Sequence, residues 1–146
     1  MHWVLNTHVR RYHQHYHTSG HIWQGRFTAF PIEEDEHLLT VLRYAESNPV
    51  RANLVRRAEQ WPWSSARLWQ AETARPSYLA AGPVKRPRPW LDWVNQALTS
   101  AELEAVRQCV NRGAPFGSAD WVEKTAKRLG LQSTLRPRGR PRKTAK

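Results

Sequence analysis

Helix-breaking residues crowd the stretch from 71 to 90, and they limit what this chain can become. Pro76, Gly82, Pro83, Pro87 and Pro89 all fall there, so no regular helix or strand can run through it. The chain must fold as one block over residues 1–70 and a second over 91–132, with 71–90 as a Pro- and Arg-rich connector. At 146 residues the whole suits one domain with an appendage. Hydrophobic residues are 40% of the chain and include eight Trp. Mean hydropathy is −0.75, so a core can form but must be modest.

Within the first block, Leu5, Val9, Tyr12 and Tyr16 repeat at i, i+4, i+7 and i+11, which predicts a helix over 1–17. Ser19-Gly20 ends it. Residues 22–32 read as extended, and Pro31 restricts such a strand to a sheet edge or to its own end. Glu33-Glu34-Asp35-Glu36 then places four acids at a helix N-terminus, where the macrodipole favours them. Leu38, Leu39, Val41, Leu42 and Ala45 form the buried arc of that helix. Pro49 stops it near Asn48 and opens a short helix with Asn48 as N-cap. Trp61-Pro62-Trp63-Ser64-Ser65 starts another helix, with Trp61 and Trp63 as structural residues.

In the second block residues 90–98 read as helix. Thr99-Ser100-Ala101-Glu102 has capping-box spacing and opens a helix to Gly113, in which Cys109 is a small packed residue. Ser118 caps a third helix, with Trp121, Val122, Thr125, Ala126 and Leu129 inward and Gly130 as its stop. These two helices have the order of a helix-turn-helix, with a longer connection than that arrangement uses. From Ser133 onward no core can be built, and residues 133–146 are expected to be a disordered basic tail. The expected fold class is predominantly α with one or two strands.

Charge points to a partner. Basic residues outnumber acids 23 to 12, a net of +11. Up to Gln70 there are 8 basic and 6 acidic residues; beyond it there are 15 and 6. The last eleven residues hold Arg136, Arg138, Arg140, Arg142, Lys143 and Lys146 and no acid. Such a field attracts polyanions, nucleic acid foremost. The tail lacks the large apolar residues of a membrane-surface helix, and no apolar run approaches the roughly 20 residues of a span. Beyond Leu5 the N-terminus is too polar for a signal peptide. A single cysteine excludes an internal disulfide framework and a Cys-rich zinc site. The expectation is a cytoplasmic protein with no membrane partner. In Pro137-Arg138-Gly139-Arg140-Pro141-Arg142-Lys143, glycine lets the backbone lie flat and the prolines keep it extended. Arg138 and Arg140 could then line a narrow A·T-rich minor groove, and the segment resembles an AT-hook.

Tyr44 and Asn48 lie four apart on the second helix and so share a face, with His37 two turns before Tyr44. Taken alone, Tyr44 reads as a boundary residue with a buried ring and a wet hydroxyl. Three words around it extend the reading: Gly20-His21-Ile22-Trp23-Gln24-Gly25-Arg26-Phe27, Leu42-Arg43-Tyr44-Ala45-Glu46-Ser47-Asn48-Pro49-Val50-Arg51-Ala52, and Trp61-Pro62-Trp63-Ser64-Ser65. In this order they resemble REP-associated tyrosine transposases, over about residues 3–70 and more weakly in the tail block from Pro115.

The resemblance implies cleavage and rejoining of single-stranded DNA beside palindromic hairpins. Tyr44 matches the nucleophile that forms a 5′-phosphotyrosine. A phenol with a pKa near 10 needs help at neutral pH, and the family supplies it with Mg²⁺ or Mn²⁺. Asn48 matches an accessory metal ligand. The family's main ligands are two histidines on a His-hydrophobic-His strand, which would lie before residue 1. The expected architecture is therefore the C-terminal remnant of an α+β transposase fold lacking most of its sheet. Met1 would be an internal start, the edge of a gene fragment or an incorrectly chosen initiation codon, and little or no cleavage is expected. His13-Gln14-His15 cannot substitute, because on a helix i and i+2 point about 200° apart. His13 and His17, at i and i+4, could bind a metal adventitiously.

Arg26, Arg43 and Arg51 are candidate phosphate contacts beside the tail residues Arg136, Arg138, Arg140, Arg142 and Lys143. The unpaired strand could join a second copy as a homodimer. Three readings follow: a DNA transposase by descent, a non-catalytic DNA-binding module using its tail, or a degenerate fragment.

Overall fold

A computed structural model describes residues 2–23, 28–70, 76–77, 79–136 and 139. Helix α1 spans His2–Tyr16, α2 Glu36–Glu46, α3 Asn48–Arg51, α4 Trp90–Asn95, α5 Ser100–Arg112, α6 Ala119–Leu129 and α7 Gln132–Leu135. Short 3-10 turns lie at Ala58–Gln60 and Ser65–Trp69. The fold is predominantly α.

The expected strand over 22–32 does not form among the described residues. It reduces to one parallel bridge between Ile32 and Phe116. The Phe116 N–H donates to the Pro31 carbonyl at 2.9 Å, and the Glu33 N–H donates to the Phe116 carbonyl at 2.9 Å. Pro31 has no N–H to extend the ladder. The bridge nonetheless joins the entrance of α2 to the connection between α5 and α6.

Helix α2 starts later than its acids suggested. Asp35 is the N-cap, accepting from the His37 N–H at 2.8 Å, so Glu33 and Glu34 precede the helix. Its buried face also differs. The two buried residues of α2 are Arg43 and Glu46, one turn apart, while Ala45 is exposed. Leu39 and Leu42 flank them and pack on a cluster of Ala58, Ala66, Trp90 and Val94. Pro49 interrupts the helix as expected, but Ser47 stands at the boundary in helical geometry, and Asn48 is the first residue of α3 rather than its cap.

Glu46 holds three segments together. Its Oε1 accepts from Ser65 Oγ at 2.7 Å and Trp69 Nε1 at 2.9 Å, and its Oε2 accepts from Trp90 Nε1 at 2.7 Å. A carboxylate this buried is tolerable because each oxygen is satisfied by strong donors. Arg43 does the matching task at the end of α4. It donates from Nε to the Trp93 carbonyl at 2.9 Å, and from Nη2 to the carbonyls of Gln96 at 3.1 Å and Ala97 at 3.0 Å. The last carbonyls of a helix lack intrahelical partners, and here a guanidinium supplies them. Helix α4 ends at Asn95, short of the expected Leu98, with Gln96 extended.

The connector does not stand apart from the blocks. The Arg86 guanidinium lies 3.7 Å from the Trp69 ring centroid and 5.2 Å from that of Trp90. Trp61 is half-buried, but Trp63 is 85% exposed, which removes its expected structural role.

Helix α5 begins as its sequence predicts. The Thr99 N–H donates to Glu102 Oε2 at 2.8 Å, the Glu102 N–H donates to Thr99 Oγ1 at 3.2 Å, and Gly113 closes the helix at φ +65°. At α6 the N-cap Ser118 side chain makes no capping bond. Glu33 instead anchors the N-cap residue itself, with Oε2 accepting from the Ser118 N–H at 2.6 Å. Val106 and Ala126 are fully buried on this side. Beyond Gly130 the chain turns back. The Leu131 N–H reaches the Ala126 carbonyl at 2.8 Å, and α7 follows where the disordered tail was expected to begin.

Candidate nucleic-acid interface

Tyr44 and Asn48 face the same way across the break between α2 and α3, and Arg51 connects them. Its guanidinium carbon lies 4.3 Å from the Tyr44 ring centroid, and its Nη2 donates to Asn48 Oδ1 at 3.0 Å. The side chain therefore stacks a cation on a phenol while holding an amide. The second amino group, Nη1, is buried without a hydrogen-bond partner among the described residues. An unsatisfied buried donor costs about 1–3 kcal/mol, which the stacking on Tyr44 and the bond to Asn48 offset in part.

Tertiary packing adds a residue that the sequence did not single out. An open groove of about 410 Å³ is lined by Asn48, Arg51, Ala52, Leu103 and Arg107. Arg107 follows the fully buried Val106 on α5, so its own side chain turns outward along the groove. No local pattern marks it, because the groove exists only where α3 meets α5.

Asn48, the expected accessory metal ligand, is exposed and hydrogen-bonded to Arg51. Its oxygen is engaged by a guanidinium, and an ion there would sit beside that positive charge. The described residues do contain one cluster with ligand-type atoms within 4.8 Å of one another, Glu33, Asp35 and His37. It lies at the other end of α2, and seven residues of helix from His37 to Tyr44 span roughly 10 Å. Its carboxylates already serve the fold, Asp35 as the cap of α2 and Glu33 on α6. Burial opposes ionisation of Asp35, but hydrogen bonds from His37 outweigh it and hold the carboxyl below its ordinary range.

The expected His13–His17 pair does not assemble. Helix α1 ends at Tyr16 and His17 takes φ +51°, out of helical register. The His13 nitrogens are within hydrogen-bond distance of Thr18 Oγ1 at 2.9 Å and the Gly20 carbonyl at 3.0 Å.

The expected phosphate contacts separate into three groups. Arg43 is 4% exposed and committed to α4 and Glu102, so it presents no surface to DNA. Arg51 lies in the groove, and Arg136 is exposed after α7. Arg26, Arg138, Arg140, Arg142 and Lys143 lie outside the described residues, as does most of the AT-hook-like segment. No helix among the described residues is long and apolar enough to cross a membrane. Comparison with protein-family models, curated proteins and solved structures yields no match for this chain.

Proposed function

We propose that the chain is a DNA-binding protein of tyrosine-transposase descent, holding DNA phosphate at the Arg51–Arg107 groove beside Tyr44. The observation that carries this reading is Arg51, a cation stacked on the would-be nucleophile, bonded to Asn48 and lining a groove with a second arginine. Guanidinium groups suit phosphate because they donate in a planar fork. The net charge of +11 favours the same partner at longer range, and the basic tail adds affinity with an A·T-rich minor-groove preference.

Strand cleavage is negligible in this reading. Tyr44 has a cation above its ring, and the Arg51 guanidinium bonded to Asn48 opposes a second cation, the Mg²⁺ or Mn²⁺ that family members use, at the same oxygen. Arg51 would position phosphate rather than activate the phenol. A non-catalytic module is thus the form of the function that the site geometry favours.

The test uses a labelled hairpin-flanked single strand. The full chain should bind it in dilute salt, and binding should survive Tyr44→Phe. Replacing Arg51 and Arg107 with Gln should weaken binding at least tenfold, about 1 kcal/mol per lost charge contact. With Mn²⁺ added, no covalent protein–DNA product should appear. A product that vanishes in Tyr44→Phe would overturn the inactivity, and no binding in dilute salt would overturn the whole reading.

A further inference from the structure

The connector and the start of α4 form a second open groove, of about 1060 Å³, lined by residues 81–91 together with Trp69 and Gln70. None of its residues borders the Arg51–Arg107 groove. Long-range contacts shape it. The Glu46 carboxylate accepts from the indole N–H groups of Trp69 and Trp90 and so fixes both rings. The Arg86 guanidinium lies on the Trp69 ring and donates from Nη1 to the Ala81 carbonyl at 2.7 Å, closing the loop from 81 to 86. Gly82 turns that loop at φ +87°, where a side chain would carry strain. Arg86 is thus committed to the wall of the groove. Lys85 and Arg88 are exposed, and neither forms an ion pair among the described residues.

Two features specify the occupant. The lining holds three cations, Lys85, Arg86 and Arg88, and no acid, and a concave site of one sign favours a ligand of the other. Three residues of extended chain separate Lys85 from Arg88 by at most about 10 Å, so the ligand's negative charges must lie close together. The second feature is apolar. Val84, Leu91 and Trp69 are only half-buried in the groove and keep surface for a ligand to cover. An inorganic polyanion uses only the first feature, and a neutral ring only the second. A nucleoside polyphosphate has both, a flat ring and adjacent phosphates in one molecule. The groove's volume is near the upper end of the roughly 300–1,000 Å³ of small-molecule sites, enough to take the whole nucleotide.

We propose that this groove binds a nucleoside polyphosphate, with Lys85 and Arg88 holding the phosphates and Val84, Leu91 and Trp69 receiving the base. The site is independent of the DNA-binding reading above and shares no residue with the Arg51–Arg107 groove.

Isothermal titration of the full chain compares ATP with inorganic tripolyphosphate and with adenosine, in buffer without divalent cations. ATP should bind about tenfold or more tightly than either. Lys85→Gln combined with Arg88→Gln should weaken ATP binding about tenfold and leave the unfolding midpoint unchanged, because both side chains are exposed. Val84→Ser should narrow the preference for ATP over tripolyphosphate. Arg51→Gln combined with Arg107→Gln should leave ATP affinity as it is. Equal affinity for ATP and tripolyphosphate overturns the proposal, since charge alone then explains the binding. So does ATP binding that is lost with Arg51 and Arg107 but retained without Lys85 and Arg88. Displacement of ATP by hexaglutamate at similar concentration also overturns it and makes an acidic peptide the occupant. A chain that binds ATP but no oligonucleotide sustains this site and ends the DNA-binding reading. One that binds oligonucleotides but not ATP ends this proposal alone.

Discussion

The indole N–H of Trp90 donates to Glu46 Oε2 at 2.7 Å, joining α4 to α2 across 44 residues of sequence. The other carboxylate oxygen takes Trp69 and Ser65, so one buried side chain ties α2, the 3-10 turn at Ser65–Trp69 and the start of α4 together. A buried carboxylate with several donors is costly to disturb, because removing it strands every donor at once.

Glu46→Ala should lower unfolding stability by about 3 kcal/mol or more. Glu46→Gln should cost less, since the amide keeps one acceptor. Trp90→Phe removes one donor and should cost about 1–2 kcal/mol. Urea unfolding followed by tryptophan fluorescence measures all three; equal stability of Glu46→Ala and the parent chain would refute the role assigned to Glu46.

Arg43 and Arg51 should separate fold from binding. Arg43→Lys loses the planar fork that reaches three carbonyls and should destabilise by about 1–3 kcal/mol. Arg51→Gln should leave the unfolding midpoint nearly unchanged and reduce the salt slope of DNA affinity by about one. A reversed pattern would place phosphate contact at Arg43.

Acid should loosen the caps of α2 and α5. At Glu102 the hydrogen bond from the Thr99 N–H is the chief cause of a lowered carboxyl pKa, against an ordinary value of 4.5. At Asp35 burial is outweighed by the bonds from His37, and the pKa again falls below its ordinary 3.8. Both groups are lower in the folded chain than in the unfolded one. Their stabilisation is therefore present above the ordinary values and is lost as pH drops through the depressed ones. Unfolding midpoints should decline from about pH 5 downward, and Glu102→Gln should flatten part of that decline.

Gly117 has no room for a methyl group. A Cβ there would lie 2.7 Å from Glu33 Oε2 and 2.7 Å from Trp121 Cε3. Gly117→Ala should push Glu33 off the start of α6 and cost about 1–3 kcal/mol. Hydrogen exchange should show faster opening at the Ser118 amide; unchanged protection there would mean that Glu33 does not hold this helix.

The helix punctuation could be read directly from the residues. The Thr99–Glu102 box, the glycine stops at 113 and 130 and the interruption at Pro49 all involve partners within a few positions of each other. The i, i+4 spacing of Tyr44 and Asn48 also survived the break between α2 and α3. Residues 24–27 of the expected strand lie outside the described residues; in the rest pairing is confined to Ile32, whose partner Phe116 is 84 positions away, beyond the reach of local pattern. His13 and His17 failed for a nearer reason: the helix ends between them.

Composition and local spacing by themselves determined that this chain is helical, cationic and divided by prolines, and where most of its helices begin and end. Only tertiary structure decided that the deepest face of α2 is an arginine and a glutamate rather than Ala45, that Arg43 is withdrawn from the surface, and that Arg107 meets Arg51. A cap finds its partner within one turn of its own helix. A buried charge is tolerated only when donors or carbonyls distant in the chain close around it.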